Sequence, residues 1–259
     1  DDNVGRVTDW LRERGEFDDT LLMYCSDQGF FLGDHGWFDK RFMYEESLRM
    51  PLVLSYPRAV PAGQVHDGIV TNVDFARTIL EFAGVETHER MQGRSFAGDI
   101  ATEIEALPAA EGMYYRYWEH DDPIHAAPAH YGIRTKDHKL IYYYGADYKG
   151  GNRTPPAWEL YDLTKDRFET VNQYDNPEYA AVVSDLKYRL ALLRKRIGDD
   201  GRDFPETEKV VQAFWDYDEE NRKEAIEISN QFLARRLDFL KNPPKKKTPP
   251  KKNPIPKKK

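Results

Sequence analysis

Cysteine is almost absent from this chain. Cys25 is the single one among 259 residues, so no internal disulfide can form. No apolar run approaches the roughly 20 residues that span a bilayer, so no membrane span is expected. A mean hydropathy of -0.78 agrees. The first residue is not Met, and the opening DDNVGRVTDW is polar, unlike a signal peptide. The start reads as the middle of a longer protein. Positive charge is missing where a nucleic-acid binder would need it. Nine Lys and no acid fall in residues 241–259, and removing them takes the formal charge from -7 to -16. A body that acidic excludes a nucleic-acid partner.

Hydrophobic residues make up 40% and aromatics 13%, enough for a packed core. Val4, Val7 and Leu11 recur at helical spacing over Asp2 to Arg14, and Gly15 suits the end of that helix. Thr20 to Cys25 and Pro51 to Tyr56 are short apolar strands, expected to be buried. Asp74 is placed to cap a helix running to Phe82, ended by Gly84. Helices between short apolar strands predict an α/β class with part of a parallel or mixed sheet.

The character changes after about residue 107. Met113–Trp118, His130–Arg134, Lys139–Tyr144 and Trp158–Leu163 are aromatic-rich and read as a small antiparallel sheet. A helix over Glu178–Arg196 would cover one face, giving an α+β subdomain over 108–198. A C-terminal helical extension follows over 199–241. The Lys/Pro tail, 242–259, is expected to be disordered. It serves as a solubilising tail, a contact for polyanions or an anchor to an acidic surface.

One stretch concentrates chemistry. Ser26 to Arg41, SDQGFFLGDHGWFDKR, follows the first strand. Ligands of such sheets sit beyond the carboxyl ends of strands. Asp27 and Gln28 offer hard oxygens for a cation, or an Asx-type turn. Lys40 offers charge to an oxyanion, or is a solvated surface lysine. His35 lies between Gly33-Asp34 and Gly36. It can donate a proton to a leaving group, face substrate, or simply shape the loop. Arg41 can bind an acidic sugar or pair with Glu45 or Glu46.

SDQGFFLGDHGWFDKRFMYEESLRMPLVL resembles the formylglycine-dependent sulfatases of the alkaline phosphatase superfamily. DDNVGRV, NVDFARTILEFAGV, MQGRS, AHYGIRTKDHKLIYYY and ELYDLTKDRFE follow the same order, from Asp1 to about Gly198. The resemblance implies a hydrolase of sulfate esters on carbohydrate, with Ca2+ as cofactor. It implies Asp27 and Gln28 as metal ligands, Lys40 on the sulfate, and His35 near substrate. Arg41, His130 and Arg134 become substrate contacts, or strand residues with satisfied hydrogen bonds. Such a parent is periplasmic, secreted or lysosomal. The family's C-x-P-S-R nucleophile motif has no counterpart here, since Ser-Asp-Gln follows Cys25. The formylglycine is therefore expected upstream, and the chain alone is expected to be inactive. Self-association through uncovered apolar surface is expected too. Two alternatives keep parts of this reading: a phosphodiesterase or phosphonate hydrolase of the same superfamily, and a non-catalytic module binding sulfated glycans.

Overall fold

The computed structural model describes residues 1–101 and 112–242. The expected boundary near 107/108 and the Lys/Pro tail beyond Asn242 lie outside the described residues. In chain order the elements are α1 (Asp2–Glu13), β1 (Leu22–Cys25), α2 (Glu45–Leu48), β2 (Leu52–Ser55), α3 (Asn72–Phe82) and α4 (Ala97–Ala101). Then come β3 (Met113–Tyr117), β4 (His130–Arg134), β5 (His138–Tyr143), β6 (Ala157–Asp162), α5 (Ala180–Ile197), α6 (Pro205–Ala213) and α7 (Glu219–Lys241). The class is α/β, as expected, with helices flanking two sheets.

The first sheet departs from a parallel arrangement. β1 and β2 pair antiparallel, Leu22 opposite Ser55 and Cys25 opposite Leu52. A parallel pair needs a long crossover packed on the sheet face. Here the connection holds only the four-residue α2, and its loop is drawn off onto the second sheet. Nor is β1 buried. Cys25 is exposed, with Tyr24 54% and Val53 62% exposed. The α3 cap is also shifted. Thr71 is the N-cap, and Asp74 is the third helical residue. The Asp74 carboxylate accepts from the Thr71 N–H and hydroxyl, each at 2.8 Å, and from the Arg94 N–H at 2.8 Å.

The second sheet is antiparallel in the order β3-β4-β5-β6. Side chains alternate faces along its strands. Tyr131, Ile133, Leu140, Tyr142, Trp158 and Leu160 point one way, onto Leu186, Leu190 and Leu193 of α5 and onto Val211 and Phe214. Tyr142 and Trp158 stack with centroids 4.1 Å apart, and the Tyr142 hydroxyl donates to the Val211 carbonyl at 2.9 Å. The expected helical extension over 199–241 holds two helices, α6 and α7. The Asp218 side chain caps α7 through the Asn221 N–H, and Tyr217 just before it has φ 55°.

Ile141, Tyr143 and Tyr161 point the other way. Their cover is the chain from Phe31 to Tyr44, with Phe31, Phe42, Met43 and Tyr44 all buried against them. The sheet is thus a middle layer between α5–α6 and the loop that carries the SDQG motif. Gly132 makes this fit possible. A Cβ there would lie 2.7 Å from Met43 Sδ and 2.3 Å from the Leu140 carbonyl.

Candidate active site

The loop leaves β1 through a turn in which the Ser26 hydroxyl donates to the Gln28 carbonyl at 2.9 Å. Gly29 lets it pass against α2, since a Cβ would lie 2.0 Å from the Glu46 carbonyl oxygen. The Gly29 N–H donates to the Ser47 carbonyl at 2.9 Å. The far limb folds back through Phe31 N–H to the Asp39 carbonyl at 2.7 Å and Gly33 N–H to the Trp37 carbonyl at 2.9 Å. This doubling back brings Lys40 beside Asp27. Lys40 Nζ is 3.5 Å from Asp27 Oδ2, and the two side chains are 45% and 85% exposed.

Gln28 is anchored between the limbs. Its Nε2 donates to the Ser47 carbonyl at 2.9 Å, the Ser47 Oγ at 2.6 Å and the Lys40 carbonyl at 3.3 Å. Two of those partners are carbonyls, which only accept, so the nitrogen must face them. The amide oxygen is left on the opposite side as the donor available to a cation. The buried Ser47 hydroxyl donates in turn to the Lys40 carbonyl at 2.7 Å. Asp27, Gln28 and Lys40 are therefore brought together at one place, with Ser47 beneath them. Ser47 was missed in the sequence, where a serine in EES carries no signal.

Calcium takes six to eight oxygens. Asp27 and Gln28 are of the right chemistry and fit as part of such a shell. Among the described residues, the His, Asp and Glu side chains close enough to hold an ion together are Glu119, Asp122 and His125. There Asp122 already accepts from the Ile124 and His125 N–H groups.

The expected ion pair of Arg41 lands elsewhere. Arg41 pairs with the buried Asp39, not with Glu45 or Glu46. Its carbonyl accepts from the Tyr115 hydroxyl at 2.9 Å, tying the loop to β3. Glu45 is taken by Arg134, through two bonds of 3.2 and 3.0 Å, and by Lys139 at 2.9 Å. Lys139 is 0% exposed and also meets Glu169 at 2.6 Å. Burial alone would raise the Glu45 carboxyl, but the two cations outweigh it and bring it down to about 2. The bonds of Arg134 to Glu45 join β4 to α2.

His130 is not available to a substrate. It is 0% exposed, with Nδ1 2.7 Å from the Pro128 carbonyl and its ring among Phe42, Tyr115, Tyr117 and Tyr143. Loss of solvation pushes the imidazole down to about 4, so it is neutral. Its inward position follows from strand alternation, since it shares the loop-facing side with Gly132.

His35 is held in the left-handed region at φ 52°. Its ring stacks on Tyr44 with centroids 4.4 Å apart, and Nε2 lies 3.4 Å from Glu46 Oε2. The ring is a brace between loop and α2.

By its match to a family model and its relatives, the chain is the C-terminal part of a sulfatase of the alkaline phosphatase superfamily. Residues 33–196 match the model of the family "N-sulphoglucosamine sulphohydrolase, C-terminal", and the chain belongs to that family. It is 44% identical over 209 residues to an N-acetylglucosamine-6-O-sulfatase of Bacteroides thetaiotaomicron, spanning 80% of this chain and 36% of that protein. A solved sulfatase structure in complex with its substrate D-glucosamine-2-N,6-O-disulfate superposes with a TM-score of 0.69 at 44% identity, covering 78% of this chain and 39% of the other. An extracellular sulfatase homologue of Drosophila melanogaster is 42% identical over 93 residues, 36% of this chain and 8% of that protein. The chain spans well under half the length of the relatives it matches.

Proposed function

We propose that this chain forms one wall of the active site of a carbohydrate sulfatase. Asp27 and the Gln28 amide oxygen hold a calcium ion, and Lys40 neutralises the sulfate group of the ester. The anchored Gln28 amide carries this reading. Two backbone carbonyls and a buried hydroxyl fix its nitrogen, a cost in side-chain freedom that suits an amide with an oriented oxygen.

The work of the chain is electrostatic. Calcium and an upstream formylglycine, when present, supply the Lewis acid and the nucleophile. Lys40, close to Asp27 yet nearly half exposed, offers charge where the leaving oxygen becomes negative. His35 positions α2 against the loop in place of donating a proton. The sulfated glucosamine in the similar solved structure and the naming of the Bacteroides relative favour a 6-O-sulfated amino sugar as substrate. The extracellular relative favours a secreted parent.

The test is sulfate release from 6-O-sulfo-N-acetylglucosamine by the full-length parent. Lys40→Ala should lower kcat/KM by about 100-fold. Asp27→Asn should lower the calcium content of the purified parent. A Lys40→Ala parent working at the unaltered rate would overturn the assignment.

A further inference from the structure

Several surface arginines of this chain pair with carboxylates: Arg12 with Asp9, Arg58 with Asp19, Arg202 with Asp200, Arg222 with Asp175. Three cations gathered in one place do not. Arg49, Lys136 and Arg167 are exposed and take part in no ion pair among the described residues. All three line one cleft of about 300 Å³, bounded by α2, the β4–β5 turn and the segment after β6.

The acids in the same wall do not balance them. Glu45 is engaged by Arg134 and Lys139, and Glu46 faces His35. Four cations, Arg49, Arg134, Lys136 and Arg167, line the cleft against two acids, an excess of two positive charges in one concave place. In a chain of net charge -7 such an excess has to be held against the general balance. Like charges gathered this way repel, and an oxyanion between them removes the repulsion. Phe168, 60% exposed, stands beside Arg167, with the guanidinium 4.9 Å from its ring centroid. An exposed aromatic face next to cations suits the apolar face of a sugar that carries an anionic group. The cleft shares Glu45, Arg49, Arg134 and Lys136 with a larger groove of about 1200 Å³ along β2, so an extended ligand has room to continue.

Helix α2 links this cleft to the site. Ser47 meets Gln28 and Lys40, while Glu45 and Arg49 border the cleft. We propose that the cleft is a second anion subsite, which binds a further sulfate ester of the saccharide chain whose reacting sulfate meets Lys40. This rests on the sulfatase reading above.

The experiment is calorimetric titration of the 259-residue chain with a heparin-derived tetrasaccharide, and with 6-O-sulfo-N-acetylglucosamine and inorganic sulfate as smaller probes. The double variant Lys136→Gln/Arg167→Gln alters exposed side chains only. It should bind the tetrasaccharide about tenfold more weakly, with a shallower dependence on salt, and bind the monosaccharide unchanged. Arg49→Gln should act in the same direction by itself. Unchanged tetrasaccharide affinity in the double variant overturns the subsite, as does a wild-type chain that binds no tetrasaccharide. Loss of inorganic sulfate binding with the tetrasaccharide retained overturns it too, because the cleft then takes free sulfate. Lys40→Gln separates the two ideas. If it leaves all binding intact while the double variant weakens the tetrasaccharide, the subsite stands and the Lys40 assignment falls.

Discussion

Gln28 Nε2 lies 2.6 Å from the hydroxyl of Ser47, nineteen positions further along the chain. That one contact fastens the neck of the loop to α2, and the same hydroxyl passes on to the Lys40 carbonyl. The side chains assigned to metal and sulfate are therefore spaced by a residue that touches neither.

Ser47→Ala removes this bridge inside a buried site. The Gln28 nitrogen keeps the Ser47 and Lys40 carbonyls but loses its shortest bond, and the Lys40 carbonyl loses one of its two donors, at a cost of about 1 kcal/mol. Urea unfolding of the chain should show that loss with an unchanged m-value. Ser47→Thr should restore part of it.

Gly132→Ala places a methyl group against the Leu140 carbonyl and Met43. The backbone contact cannot be relieved by a side-chain rotation, so a loss of about 2 kcal/mol or more is expected. Thermal melting read by circular dichroism measures it. Adding Met43→Ala should not rescue the variant, because the Leu140 carbonyl remains.

Lys139 sits buried between Glu45 and Glu169. Lys139→Met leaves two acids facing one another without their common cation, and should destabilise by about 3–5 kcal/mol. The triple change Lys139→Met/Glu45→Gln/Glu169→Gln should recover much of that. Equal stabilities for the single and triple variants would contradict the role given to Lys139.

Two groups contribute to the acid limit. His130 titrates near 4 in the folded chain against 6.5 ordinarily. Between those values the unfolded chain binds the extra proton, so stability falls as pH drops from about 6.5 to 4, by up to about 3 kcal/mol. Glu45 is held near 2 against 4.5. Its contribution is full above 4.5 and is lost as pH falls toward 2. His130→Phe, placed among aromatics, should flatten the first part of the profile and leave the second.

The alternation in HYGIR, HKLIYY and AWELYD made the four-stranded sheet legible, because period two survives whatever packs on either face. The same alternation carried no label saying which face is wet. His130 read as a substrate contact or a strand residue with a satisfied hydrogen bond; its Nδ1 meets the Pro128 carbonyl, but the aromatic cage around it was not legible, because Phe42 and Tyr143 come from distant parts of the chain. Strand direction was not legible for LMYC and LVLS, since short apolar strands look alike in either sense. Arg41 showed a charge but not its partner: Asp39, two residues away, won over Glu45, which Arg134 and Lys139 had already taken. Asp27, Gln28 and Lys40 stood out by their motif, and the contact between Lys40 and Asp27 bears out their proximity alone.

The layer formed by Phe31 to Tyr44 has a consequence for timing. Its inner side is core, and its outer neck holds Asp27, Gln28 and Lys40. Its buried ends, Phe31 and Phe42 to Tyr44, have no opening motion of their own, because lifting them would strip Ile141, Tyr143 and Tyr161 of their cover. The amide hydrogen of Phe31 should then exchange no faster than those of β5.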